Sequence, residues 1–346
     1  MMTNDTDVPA VAPPTLLAVA QRAKVSRSTA SRVINGSSQV TEEAIAAVTS
    51  AISELNYVPN RTARNLAKRT TQSIAMVIPQ QTSKFFADPY FAAVIQGAAL
   101  HMATTDYTLT LLIESDDDPA KTRRFLEGGN VDGALILSHY TRDADYVSLS
   151  RTLPVVFGVR PLSSDDGPFS VVDVDNVDSA VLATQHLVDC GRTRIGMIGA
   201  PLGMSAGLDR TEGWRSTLVL AGIEEGPFEE GDLTPAGGAA AMERILDRGD
   251  PIDGLVAATA QMAHGAVGVL NERGVTIPGD IAVATIDNNF FSTSAQPPLT
   301  SVDLNTDAKG AVMAQTLLRM IAGETAERFV PIPIELIVRE STVAGA

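Results

Sequence analysis

The sequence predicts a small all-α head joined to an α/β body of two doubly wound parallel-sheet lobes. Short, capped helical patterns run from Thr15 to about Tyr57. From Ser73 onward, near-continuous apolar runs alternate with helical stretches, the mark of parallel sheets covered on both faces. Charge divides at the same place: residues 1–72 hold eight basic and five acidic residues, the remainder 18 and 36. A net charge of −15 would by itself argue against a polyanionic partner. Its distribution reverses that reading, because a basic head on an acidic body confines contact with a polyanion to the head.

The 346 residues make two or three units at roughly 150 residues each. No apolar run approaches the ~18 residues of a membrane span. Met1–Pro14 carries Asp5 and Asp7 but no Lys or Arg, so no export signal is expected. The lone Cys190 excludes an internal disulfide framework and fits a reducing cytoplasm.

Residues 1–14, with Pro9, Pro13 and Pro14, read as a disordered tail. Thr15 caps a helix over Leu16–Ala23. Ser26 caps a second over Arg27–Asn35, closed by Gly36. Thr41 caps a third, with Glu42 and Glu43 in the dipole-favoured first turn and Ile45, Val48, Ile52 and Leu55 on one face. The first two form a helix-turn-helix, with Ala20 small at the crossing and Val25, Ala30 and Val33 packing inward. Arg27, Ser28, Ser31 and Arg32 then point outward. This is either the solvated face of a three-helix domain or a surface in which Arg grips guanine and Ser reaches a base or phosphate.

A basic segment follows Pro59, and then the strands begin: Ser73–Ile78, Leu109–Ile113, Gly133–Leu137, Val155–Phe157, Val171–Val174, Arg194–Ile198, Gly254–Ala257 and Ile281–Ile286. No solenoid-type repeat is present. Some 270 residues of βα units fit two sheets better than one, with a ligand at the carboxyl ends of the strands.

The stretches "VSRSTASRVIN" and "ELNYVPNRTARNLA" resemble the LacI/GalR (lactose-repressor and galactose-repressor) family of bacterial transcription regulators, continuously over Thr15–Leu66 and more weakly towards the C-terminus. The resemblance implies head 15–59, hinge helix and linker 60–72, and effector-binding and dimerisation body 73–346. Lobe one is expected at about 73–171 and 302–326, and lobe two at about 172–301 and 327–346. It places Arg27, Ser28 and Arg32 where the recognition helix meets bases. Asn60–Ala67 falls on the hinge helix in the minor groove, and Leu66 falls on the inserted leucine. Such a wedge costs a few kcal/mol of unstacking and bends the duplex onto more protein. A helix this short folds only with DNA. Thr15, Leu16, Ser26, Ser31, Asn35, Tyr57, Asn60, Arg61, Ala63 and Lys68 complete the expected DNA-facing set. Two departures stand out. Lys24 replaces the usual turn Gly, where a positive φ costs about 1–2 kcal/mol, and Ala18 replaces a common Asp.

By the same resemblance the body is like periplasmic sugar-binding proteins, two lobes around a cleft. Matching stretches are Asp88-Pro-Tyr-Phe91, Val171–Asn176, Leu208–Trp214, Val283–Asn288 and Pro297–Thr300. The expected effector contacts are Asp88, Phe91, Ser138, His139, Arg160, Arg210 and Asp287. A guanidinium donating to hydroxyls and a carboxylate accepting from them suit a polyol, although Arg210 could instead make a surface ion pair. Tyr90, Phe91 and Trp214 either stack on a sugar face or fill the core. Thr259 and Ala260 replace the family's frequent Asn-Asp, leaving a common hexose, another sugar, a nucleoside or no ligand open.

An enzyme reading competes. Gly203-Met-Ser-Ala-Gly207 satisfies G-x-S-x-G, with Asp253 and His264 downstream. A nucleophile elbow, however, needs Ser205 directly after a strand, and Ala200-Pro201-Leu202 intervene. No phosphate-binding loop occurs, and the four histidines are scattered, so no metal or cofactor is expected. An exported solute-binding protein would share the body but not the head. The expectation is a cytoplasmic (nucleoid) DNA-binding regulator and not an enzyme, a repressor by preference. Its partners are pseudo-palindromic operator DNA, bound as a homodimer, and a carbohydrate-like effector. The segment Glu335–Ala346 lacks leucine heptads, so no tetramerising coil is expected there.

Overall fold

The structure is a computed structural model that describes residues 14–37, 39–58, 70–78, 86–114, 119–137, 143–162 and 166–343. The chain divides into two compact units, Met1–Thr70 and Thr71–Ala346.

The first unit holds α1 (Leu16–Arg22), α2 (Arg27–Ile34) and α3 (Glu42–Glu54). Each begins at the expected cap: Thr15, Ser26 and Thr41 oxygens accept from the backbone N–H groups of Ala18, Thr29 and Ala44. Val19, Ala20, Ala30, Val48, Ala51 and Tyr57 form the core, with Val25 and Val33 packed against it. Of the expected stripe on α3, Val48 lies in this core and Ile52 and Leu55 pack against it, while Ile45 is 42% exposed and Ala51 takes an inward place. Arg22 pairs with Glu54, tying α1 to α3. Lys24 occupies the left-handed region at φ 54°, the conformation that makes glycine the easy choice in this turn.

The second unit contains two six-stranded sheets. The first comprises β1 (Ser73–Ile78), β2 (Thr108–Ile113), β3 (Gly133–Ile136), β4 (Val155–Phe157), β5 (Ser170–Asp173) and β11 (Phe329–Pro331). Their order is β11-β5-β4-β3-β1-β2, all parallel. The second comprises β6 (Ile195–Gly199), β7 (Phe228–Glu230), β8 (Gly254–Ala257), β9 (Ala282–Ile286), β10 (Thr300–Asp303) and β12 (Glu335–Ile337). Their order is β12-β10-β9-β8-β6-β7, with only the β10–β12 pair antiparallel. Central strands β3, β4, β6, β8 and β9 are buried throughout, which is why they read as unbroken apolar runs.

The helices of this unit are α4 (Pro89–Met102), α5 (Pro119–Glu127), α6 (Asp143–Leu149), α7 (Asn176–Asp189), α8 (Ser205–Ala221), α9 (Pro235–Asp247), α10 (Ala260–Glu272), α11 (Phe290–Ser294) and α12 (Thr306–Ile321). Helices α4 and α12 pack backbone to backbone. A Cβ on Gly97 would stand 1.8 Å from the Asp307 carbonyl oxygen, and one on Gly310 would stand 2.0 Å from that of Val94. That approach fixes the last long helix against the first lobe.

The expected lobe boundaries need correction. Strand β5 runs to Asp173 in the first sheet, so the chain crosses after it rather than before Val172. Thr300–Asp303 belongs wholly to the second sheet, which moves the return from 302 to Leu304. Phe329–Pro331 pairs with Ser170–Asp173 in the first sheet, so the stretch from 327 is not all lobe two; the last crossing lies between Pro331 and Glu335. The reason is non-local: strands β10, β11 and β12 find partners far away in the chain.

Candidate functional site

Strand order reverses beside β1 and again beside β6, and polar residues gather where those carboxyl ends meet. A cleft of about 690 Å³, including its open mouth, is lined by Asp88, Tyr90 and Phe91 from the start of α4 and by Asp173 and Asn176 after β5. Further lining comes from Arg210 on α8, Thr259 and Gln261 at α10, Asp287 after β9, and Lys309 on α12. Helix caps set the positions. Asp88 Oδ1 accepts the Tyr90 N–H at 3.0 Å, and Thr259 Oγ1 accepts the Met262 N–H at 3.4 Å. The hydroxyl that replaces the family's polar pair is therefore turned to its own helix, while Ala260 is buried.

A polar chain runs through the walls. Lys309 Nζ donates to Asp173 Oδ1 at 2.7 Å, and Asn176 Nδ2 donates to Asp173 Oδ2 at 3.1 Å. Arg210 Nε donates to Asn176 Oδ1 at 3.0 Å, and its Nη1 donates to the Ala258 carbonyl at 2.6 Å. Arg210 is thus a buried cleft residue, 8% exposed, rather than a surface ion pair. Asp287 sits at φ 76°, a strained conformation for a non-glycine residue and one that clusters at ligand sites. Burial pushes its carboxyl up, against the pull of Arg210 and Lys309. Burial also lifts Asp88 to about 6, against the Tyr90 N–H, the Gln261 amide and Arg210, with Asp287 adding to the rise. On Lys309 burial pulls down, but Asp173 and Tyr90 prevail and the ammonium moves up.

Of the expected effector set, Asp88, Phe91, Arg210 and Asp287 meet in this cleft. Ser138 and His139 lie outside the described residues. Arg160 stands apart from the lining: its Nη2 donates to Asp209 at 2.7 and 3.0 Å, because a carboxylate on α8 engages the guanidinium first. Trp214 is fully buried beside Phe228 and is core. Tyr90 and Phe91 do both jobs, packing edge to face at 5.4 Å while lining the cleft. Sequence reasoning missed Asn176, Gln261 and Lys309. The one signal was polar residues closing an apolar strand in Val171–Asn176.

On the head, Ser26, Arg27, Ser28, Arg32 and Asn35 are exposed along one side of α2, and Ser31 is partly so. Thr15 is exposed at its cap, and Leu16 is half-buried. Tyr57 is only 9% exposed and packs in the head's core. Asn60, Arg61, Ala63, Leu66 and Lys68 lie outside the described residues.

The hydrolase arrangement does not assemble. Ser205 is 2% exposed at the start of α8, and its hydroxyl donates to the Arg160 carbonyl at 2.6 Å. Asp253 lies at the opposite, amino end of the sheet, accepting from the N–H groups of Thr193 and Arg194. Among the described residues no metal-holding cluster occurs, and no helix is long and apolar enough to cross a membrane.

A helix-turn-helix unit followed by a two-sheet body with a polar cleft defines a ligand-responsive DNA-binding regulator. Residues 15–60 match the family "Bacterial regulatory proteins, lacI family", and residues 184–342 match the periplasmic binding protein-like domain. The chain is 39% identical to the HTH-type transcriptional regulator CelR of Thermobifida fusca, over 95% of this chain and 98% of that one. It is 33% identical to the HTH-type transcriptional repressor PurR of Haemophilus influenzae, over 94% and 98%. Among solved structures it is similar to a transcriptional regulator CelR–cellobiose complex, with TM-score 0.74, 37% identity and coverage of 95% and 99%. It is also similar to the lac repressor dimer bound to operator and the anti-inducer ONPF, with TM-score 0.85, 26% identity and coverage of 96% and 100%. The chain belongs to the lacI family: it is a transcriptional regulator with a DNA-binding helix-turn-helix and a ligand-binding body, and its relatives are regulators, not enzymes.

Proposed function

We propose that this regulator is a homodimeric cytoplasmic repressor whose operator affinity is set by a neutral saccharide of the cellobiose class. Each head reads one half of a pseudo-palindrome through Arg27, Ser28 and Arg32, as two-fold symmetry requires. Asn60–Ala67 supplies the hinge helix and Leu66 its wedge. In the body, Asp88, Arg210 and Asp287 contact the effector.

Charge accounting carries the ligand class. Among the described residues, the cleft has two cations, Arg210 and Lys309, against three carboxylates, Asp88, Asp173 and Asp287. Lys309 is taken by Asp173, which leaves one cation, Arg210, facing the carboxyls of Asp88 and Asp287, a balance that disfavours a phosphate or carboxylate ligand. Carboxylates accepting and a guanidinium donating suit vicinal hydroxyls. The likeness to CelR, solved with cellobiose, supports the same class.

The test is a thermal-shift series on the full chain with cellobiose, other neutral disaccharides, sugar phosphates and nucleosides, followed by operator binding with each hit. A neutral disaccharide at a hundred times its Kd stabilises the body by about 2.7 kcal/mol and changes operator affinity. Stabilisation by a nucleoside or sugar phosphate alone overturns the reading.

A further inference from the structure

Gln261 is 2% exposed, yet it lines the cleft. It stands at the start of α10, on the second sheet's side. Its Nε2 donates at 2.8 Å to Asp88 Oδ1, at the start of α4 on the first sheet's side. The other end of the same amide, Oε1, is buried with no hydrogen-bond partner. Buried amide oxygens are almost always satisfied, and leaving one unmade is costly. The side chain thus joins the two lobes with its nitrogen, while its oxygen stays unpartnered on a residue that lines the cleft.

We infer that Gln261 is a specificity-determining residue that latches the lobes through Asp88 and accepts a hydrogen bond from a donor group of the effector. The second part rests on the effector reading above. An acceptor rejects oxyanions, which have nothing to donate, and rewards a hydroxyl at one fixed point. Binding and closure are coupled in a single amide: a ligand that satisfies Oε1 also fixes the nitrogen end on Asp88.

The test compares wild type with Gln261→Met, which keeps length and apolar volume. The substitution removes an unsatisfied buried oxygen and also the Nε2–Asp88 bond; the two effects oppose, so the melting temperature moves little. Two other readouts fall. Calorimetry with cellobiose shows roughly 10–100-fold weaker binding. In a panel of monodeoxy cellobioses, the wild type rejects one analogue by a similar factor and the variant does not. Hydrogen exchange in the first turn of α4, where the Tyr90 N–H bonds Asp88, rises several-fold without ligand. Unchanged affinity and deoxy discrimination overturn the acceptor role, and unchanged exchange overturns the latch. If wild type binds no neutral saccharide, the effector reading and the acceptor role fall together, and the exchange measurement alone still decides the latch.

Discussion

Lys309 Nζ and Asp173 Oδ1 lie 2.7 Å apart with side chains 4% and 5% exposed, so α12 and the end of β5 are joined by a buried ion pair. Asp173 also accepts the Val174 N–H and the Asn176 amide, which satisfies its lone pairs and makes burial tolerable. Removing one partner leaves the other as an uncompensated buried charge. Lys309→Met therefore destabilises the body by about 3–5 kcal/mol, and Lys309→Met with Asp173→Asn recovers part of that loss. Denaturant titration of the four chains in a double-mutant cycle measures it. A loss below about 1 kcal/mol for Lys309→Met shows that the pair is dispensable.

The cleft also sets a pH dependence. Burial, aided by Asp287, raises Asp88 from 3.8 to about 6, against the Tyr90 N–H, Gln261 and Arg210; Tyr90, Lys309 and Asp173 line the same cleft. A folded-state pKa above the unfolded value means that the native form binds the proton more tightly. Stability from this group is therefore greatest in acid, falls as pH rises from about 4 to 6, and is constant above that. One pKa unit is worth 1.36 kcal/mol, so the whole fall is about 3 kcal/mol. Asp88→Asn keeps the cap acceptor but does not titrate. Its stability relative to wild type rises between pH 4 and pH 7, and Asp287, shifted the same way, leaves a residual slope in both. A difference that is flat with pH removes Asp88 from the account.

Legibility in the sequence followed the range of the interactions. The head could be read from caps and short-range periodicity because Thr15, Ser26 and Thr41 each cap a backbone N–H three residues on. The central strands could be read because both faces are buried. Strands β7, β11 and β12 have only three residues each, and Thr300–Asp303 is polar yet largely buried; their identity as strands comes from distant partners. The cleft divided in the same way. Asp88, Arg210 and Asp287 sit in recognisable local motifs. Gln261 meets Asp88 across 173 positions and Lys309 meets Asp173 across 136, which no local pattern encodes.

Lys24 holds φ at 54° between α1 and α2, with its N–H bonded to the Gln21 carbonyl and the Val25 N–H to that of Ala20. A side chain there costs about 1–2 kcal/mol, part of which Gly would lose again to greater freedom in the unfolded chain. Lys24→Gly stabilises the head by about 0.5–1 kcal/mol. Hydrogen exchange of α1 and α2 amides in the full chain then slows roughly 2–5-fold. Faster exchange shows that the lysine stem packs more favourably than its backbone is strained.

Arg27 begins α2 on its exposed side, the end of a recognition helix that reaches base edges. Ser28 shares its hydroxyl with the capping Ser26 at 2.7 Å, which leaves Arg27 and Arg32 as the long donors on that side. A bidentate guanidinium–guanine contact discriminates by about 1–3 kcal/mol. Arg27→Ala therefore loses roughly 10–100-fold on the preferred operator and much less on duplexes already altered at that base pair. With the phosphate role proposed for Lys68, Lys68→Ala is expected to weaken all duplexes alike and to flatten the salt dependence by about one unit of slope. Selection from a random duplex library with each variant separates the two roles. Equal loss on every sequence for Arg27→Ala assigns it to the backbone and moves base reading along the helix to Arg32.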